Sequence, residues 1–247
     1  MQNESYIEAA VRRQKQGKRW ISILCVLILI PLTIMFGVYF LDDKKYYFIS
    51  LLMIIYTVLP FFASFERHKP QARELVILAV LIAIAVAGRT AFIMIPGFKP
   101  LVAVAVVAGV AFGAESGFMC GAMAAFISNF FMGQGPWTPW QMFAYGIVAF
   151  LAGLFCEKGW IGKDKVSLSI FGGAAVLFIC SPILELCTVF TISAEVNLRQ
   201  TVAVFIAGFP MDMSHAISTA VFLLLISQPM IVKLNRVKVK YGMGQEV

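Results

Sequence analysis

Gly133-Gln134-Gly135-Pro136-Trp137-Thr138-Pro139-Trp140-Gln141-Met142 interrupts two apolar runs, Gly117–Met132 and Phe143–Phe155. Each Pro lacks a backbone donor and biases the residue before it away from the helical region. The stretch therefore predicts a stiff loop over 133–142 between two apolar helices. Its two Trp suit a membrane–water boundary. Two Trp with two side-chain amides on a stiff loop also suit stacking on, and hydrogen bonding to, a flat polar molecule. The loop alone leaves both readings open.

Outward from the loop the chain is apolar in both directions. Of its 247 residues 60% are hydrophobic and 13% are charged, against roughly 25% charged in soluble domains. The expected fold class is all-α, a polytopic bundle of membrane helices. Eight apolar runs are expected as spans: Ile21–Leu41, Tyr46–Phe65, Leu75–Ile95, Leu101–Phe112, Gly117–Met132, Trp140–Phe155, Val166–Phe190 and Thr201–Val232. The first is longer than the roughly 7–15 residues of a signal-peptide core and reads as a span. Leu101–Phe112 covers only about 18 Å of a hydrocarbon core about 30 Å thick. Such short segments belong in the protein interior or along a cavity, and predict a bundle with one dished face. The organisation read from this pattern is a basic arm at 1–19, two additional transmembrane helices at 20–65, a basic connector at 66–74, a six-helix core at 75–232 and a basic tail at 233–247.

The net charge of +7 follows the membrane pattern and does not call for nucleic acid. Fifteen Lys and Arg fall in the arm, the connector, the stretch 156–165 and the tail, all on one side of an eight-span chain. Lys44, Lys45, Lys99 and Arg199 fall on the other, and Arg89 lies within a span. The bias predicts cytoplasmic termini and an outward-facing loop at 133–142. Cys25, Cys120, Cys156, Cys180 and Cys187 show no metal or redox spacing and read as small core residues. No phosphate-binding GxxxxGK[ST] loop, HExxH or GxSxG is present, so no nucleotide hydrolysis is expected from this chain.

Arg89 is the most informative charge, because an ionised group within a span is a functional-site candidate by default. It lies near the end of its span and can also snorkel to the surface. Phe98, Lys99, Asn129, Gln134, Trp137, Trp140, Gln141 and Tyr145 fall at or just beneath the same end, and together with Arg89 form the candidate substrate-binding set. Asp212 and His215, one helical turn apart, and Glu185 offer a second set. They suit an internal hydrogen bond, or a proton relay in an intramembrane enzyme. Ala79, Ala83 and Ala87 repeat at the spacing that lets a second helix approach closely. Gly117/Gly121/Ala125 and Ala149/Gly153 do the same.

The core from about Arg73 to Met230 resembles the substrate-binding S component of energy-coupling factor (ECF) vitamin transporters. The resemblance rests on Gly88-Arg89-Thr90-Ala91-Phe92, Pro96-Gly97-Phe98-Lys99-Pro100, Gly113-Ala114-Glu115-Ser116-Gly117-Phe118, Ser128-Asn129-Phe130-Phe131 and the stretch 133–142. It implies a six-helix core with a vitamin-sized pocket open to the outside, no catalysis and no cofactor. The partners it implies are a small vitamin-like molecule, the lipid bilayer, a transmembrane scaffold and two ATPase subunits. On this resemblance Ala79, Ala83 and Ala87 form the scaffold-docking face. Nickel and cobalt S components begin with a Met-His ligand stretch, whereas this chain begins Met1-Gln2-Asn3-Glu4, which disfavours a metal ion. The Trp-rich loop points to cobalamin or a related corrinoid or precursor, with another vitamin or a modified nucleobase as the alternative. The two N-terminal spans depart from the six-helix plan.

Overall fold

A computed structural model describes residues 24–41, 52, 55, 72–192 and 198–241. Most of the expected second span, the basic arm and the connector 66–71 lie outside the described residues. Every regular element among the described residues is helical. In hydrocarbon a helix satisfies its own backbone polar groups, and long apolar runs have no other open-chain solution. A π-helical turn, Cys25–Leu29, leads into α1 (Ile30–Leu41). The core follows as α2 (Ala72–Ala91), α3 (Leu101–Phe112), α4 (Ala114–Met132) and α5 (Trp137–Glu157). Then come α6 (Lys165–Ala175), continued through a π-helical turn, Val176–Cys180, into α7 (Ser181–Ile192), and last α8 (Leu198–Lys240).

Arg73–Ala91, Trp137–Glu157, the continuous stretch Lys165–Ile192 and Leu198–Lys240 are each long and apolar enough to cross a membrane, and Leu101–Phe112 is a shorter apolar helix. The chain is a multi-pass membrane protein. The short α3 is resolved by its place in the bundle: Leu101 through Ala111 are all buried. A helix apolar on every side belongs in a core, and one with little lipid contact has no hydrocarbon thickness to match.

Small residues let α3, α4 and α5 touch almost backbone to backbone. A methyl group at Gly117 would lie 2.6 Å from Gly109 Cα, and one at Gly121 would lie 2.6 Å from Tyr145 O. One at Gly153 would lie 2.7 Å from Gly109 O. Gly117, Gly121, Ala149 and Gly153 thus serve packing within this bundle. Gly113 joins α3 to α4 at φ 101°, and Gly133 ends α4 at φ 100°, a left-handed region that side chains beyond glycine rarely enter.

The stiff loop is shorter than the sequence suggests. Helix α5 begins at Trp137, immediately after Pro136, and carries Pro139 in its first turn. The N–H groups of a first turn have no intrahelical partner, so a proline there removes nothing. Only 133–136 remain outside helix. The last helix is longer than its apolar run: α8 has 43 residues, roughly 64 Å at 1.5 Å per residue, and takes in the first part of the basic tail.

Helix α8 is tied to the turn between α2 and α3. Ser214 Oγ donates to Pro96 O at 3.1 Å, Lys99 N donates to Ser218 Oγ at 2.8 Å, and Ser218 Oγ donates to Lys99 O at 3.1 Å. The sixteen residues of α8 before Ser214 therefore run roughly 24 Å past that turn. They pack against α7, where Glu185 lies against Gly208, and Phe190 near the end of α7 reaches Trp140 in the first turn of α5. The face expected from the sequence to be dished is this end of the bundle, which carries the Trp-rich stretch.

Candidate functional site

At this end of the bundle Arg89 is 5% exposed and turns inward rather than to the surface. Its Nη1 donates to Ser128 Oγ at 2.5 Å and to Asn129 Oδ1 at 2.8 Å, and its Nη2 donates to Gln141 Oε1 at 3.2 Å. The guanidinium also lies over the Tyr145 ring, 5.7 Å from its centroid. Helices α2, α4 and α5 each contribute to this knot. A buried charge needs such company, because an unpaired one is costly at membrane depth.

The network continues into the loop. Asn129 Nδ2 donates to Thr138 Oγ1 at 3.1 Å and to Gln141 Oε1 at 2.9 Å. Thr138 Oγ1 donates to Gln134 Oε1 at 2.8 Å and accepts from Gly135 N at 3.2 Å. Gln134 Nε2 donates to Phe126 O at 3.0 Å. Both polar ends of Asn129 and of Gln134 are thus engaged within the protein, where they hold the loop against α4. Ser128 and Thr138 complete the network; both stand in the stretches that carry the family resemblance, but neither is among the candidate site residues.

The two loop Trp part company. Trp140 is 6% exposed and stacks on Phe190 of α7, with centroids 5.9 Å apart and planes at 28°. Trp137 is 41% exposed, and its Nε1 donates to Gly133 O at 3.3 Å. Phe98 joins Phe92 and Phe222 in a three-ring cluster that seats the α2–α3 turn on α8. Lys99 follows in the same turn. Burial chiefly, and then the Arg89 charge, hold its ammonium below the usual lysine range.

His215 of α8 stands edge-on to Tyr145, with centroids 5.7 Å apart. It therefore joins the Arg89 side of the site. Asp212, one turn earlier, lies with Ser181 along a groove between α7 and α8. Glu185 lies against Gly208. Cys120, Cys156, Cys180 and Cys187 are buried free thiols. Ala79, Ala83 and Ala87 are all exposed along one face of α2.

Several donors in the site carry no hydrogen bond among the described residues. They include Gln141 Nε2, whose side-chain oxygen is held twice, Lys99 Nζ, Trp140 Nε1 and the Tyr145 hydroxyl. With the Trp140–Phe190 stack and Tyr145 they make an aromatic wall with hydrogen-bond donors beside it. That arrangement suits capture of a flat, acceptor-bearing molecule.

No curated protein and no solved structure gives a significant match to the chain. A model of the family described as ECF-type riboflavin transporter, S component, matches residues 69–231, well over half of the chain and the whole of the helical core α2–α7 with most of α8. The chain belongs to that family of ECF S components, non-catalytic membrane subunits that bind a transporter's substrate.

Proposed function

We propose that this subunit captures a flavin-like vitamin at the dished face. The reading rests on one observation: two unengaged donors, Gln141 Nε2 and Lys99 Nζ, accompany a stacked aromatic pair. The flavin ring is flat, and its pyrimidine edge carries carbonyl acceptors, so it complements both features. The family's description names riboflavin. The corrinoid reading rests on the likeness of the Trp-rich loop; the side-chain amides of Asn129 and Gln134 beside and within that loop are engaged with the protein itself.

The bias of fifteen Lys and Arg against four supports cytoplasmic termini, with the dished face outside. The exposed face of Ala79, Ala83 and Ala87 supports scaffold docking at α2, since small residues admit a partner helix closely. The two ATPases of that assembly then supply the energy. Residues 20–65, read from the sequence as two additional helices before a core over 75–232, lie in large part outside the described residues.

The deciding experiment is a titration of the purified protein with riboflavin, followed by quenching of flavin fluorescence, with cobalamin and free cobalt ion as competitors. Sub-micromolar riboflavin binding, about −8 kcal/mol or stronger, unaffected by either competitor, is expected. Tight cobalamin binding without riboflavin binding would restore the corrinoid reading.

A further inference from the structure

The groove between α7 and α8 has a chemistry that the vitamin site does not use. Its volume is about 650 Å³, and its walls include Phe178, Phe205, Ile206 and Phe209. Phe178, Ile206 and Phe209 are 73%, 70% and 52% exposed, so the groove opens sideways, toward the acyl chains of a bilayer. Three of its other residues are polar, Asp212, Ser181 and Thr201, and Asp212 is the charged one. Ser181 is only 2% exposed, and its Oγ meets no partner at hydrogen-bonding geometry, although it lies close to the Asp212 carboxylate. A buried hydroxyl without a partner is rare and calls for an explanation.

The backbone adds to the same imbalance. Pro182 follows the π-helical turn after Ser181, and Pro210 lies inside α8. Neither has a backbone N–H to donate, and Pro182 lines the groove. π-Turns inside helices are themselves frequent at functional sites. A carboxylate and two hydroxyls thus line an otherwise apolar groove. Its one charged group, Asp212, is an acceptor of hydrogen bonds when ionised. Glu185, across Gly208, strengthens the negative character of this end.

We infer that this groove is a binding site for a membrane amphiphile with an apolar chain and a hydrogen-bond-donating head of the ammonium or hydroxyl class. The chain lies along Phe205, Ile206 and Phe209, and the head meets Asp212 and Ser181. Charge complementarity selects the head: an anionic head is repelled by Asp212, and an ester head has no donor. The site is independent of the vitamin, and an empty vitamin site leaves it unchanged.

The test places the full-length protein in phosphatidylcholine vesicles with Phe205→Trp as a reporter, the signal of the parent being subtracted for its native Trp. The probes are a long-chain amine and a fatty methyl ester that share one brominated, fluorescence-quenching chain. Half-maximal quenching is expected at roughly tenfold lower mole fraction of amine than of ester, about 1.4 kcal/mol. Asp212→Asn in the reporter background should bring the two probes level. Ser181→Ala should narrow the preference several-fold without loss of thermal stability, because that hydroxyl has no bond to lose. Equal quenching by both probes in the reporter protein overturns the assignment, as does an amine preference that survives Asp212→Asn. If Asp212→Asn fails to fold, Ser181→Ala decides: a narrowed preference supports the site and an unchanged one overturns it.

Discussion

Arg89 and Asn129, forty residues apart, meet through a hydrogen bond of 2.8 Å from Nη1 to Oδ1 inside the bundle. The same Asn129 then bonds Thr138 and Gln141 through its amide nitrogen. One side chain thereby ties the end of α2 to the loop and to α5, and its first role is to shape the site.

Asn129→Leu should therefore destabilise the ligand-free protein, by about 1–3 kcal/mol, because Arg89 loses a charge-assisted bond in a dry setting. The measurement is thermal unfolding in detergent without vitamin. A direct ligand contact predicts the reverse pattern, with unchanged ligand-free stability and weakened binding.

The two Trp should separate in a binding titration. Trp140→Ala removes a buried ring stacked on Phe190, and affinity for riboflavin should fall roughly 30- to 1,000-fold. Trp137→Ala removes a ring that is 41% exposed, and affinity should stay within about threefold, under 1 kcal/mol. Equal losses would place both rings against the ligand.

Lys99→Met should stabilise the ligand-free protein at neutral pH and flatten its alkaline profile. The sign follows from the lowered folded-state pKa of Lys99, caused by burial and then by Arg89. Between that value and the unfolded value of about 10.4 the unfolded chain holds more protons than the folded one, so the parent gains stability as pH rises. Unfolding midpoints measured across this window should climb in the parent and climb less in the variant. Binding of an acceptor at Lys99 should weaken over the same rise.

Ala83→Trp should leave riboflavin binding intact and abolish both uptake and co-purification with a scaffold subunit. The ring lands on an exposed α2 face, away from the Arg89 network. Normal uptake would assign that face to lipid.

Orientation is read by labelling intact cells with an impermeant thiol reagent, in a variant without the native Cys. Thr138 is fully buried and Trp160 is 67% exposed, so Trp137→Cys and Trp160→Cys are the informative pair. Reaction at 137 and protection at 160 is the expected result.

The class of fold was legible because membrane depth admits few structures, and apolar runs mark them directly. The lengths were less legible. Pro139 reads as a helix breaker, yet it sits in the first turn of α5, where a missing N–H has no consequence. The basic residues from Lys233 onward read as a tail, yet α8 carries them as helix to Lys240. At the site, common depth grouped Arg89, Asn129, Gln134, Gln141 and Tyr145 as candidates, and hydrogen bonds and a ring contact join them into one network. Depth does not reveal which polar atoms face one another, so Asn129 and Gln134 read as ligand donors while their amides are engaged with Thr138, Gln141 and Phe126. His215 joins the site through Tyr145, a contact between helices far apart in sequence that no local pattern encodes.

The ties of α8 have a mechanical consequence. At one level Ser218 exchanges two hydrogen bonds with the backbone of Lys99, just before α3 begins. Twenty residues later Lys238 Nζ donates to Ala111 O at 2.6 Å, where α3 ends. The longest helix therefore grips the short, buried α3 at both of its ends, like a splint. Sliding or turning α8 against α3 would break the two fastenings together, and α3 is close-packed against α4 and α5 through glycine. Such a body resists internal shear. Load applied at the dished face reaches the opposite face without being absorbed between them, and the favoured large displacement is one in which the whole core moves as a piece through its lipid surroundings.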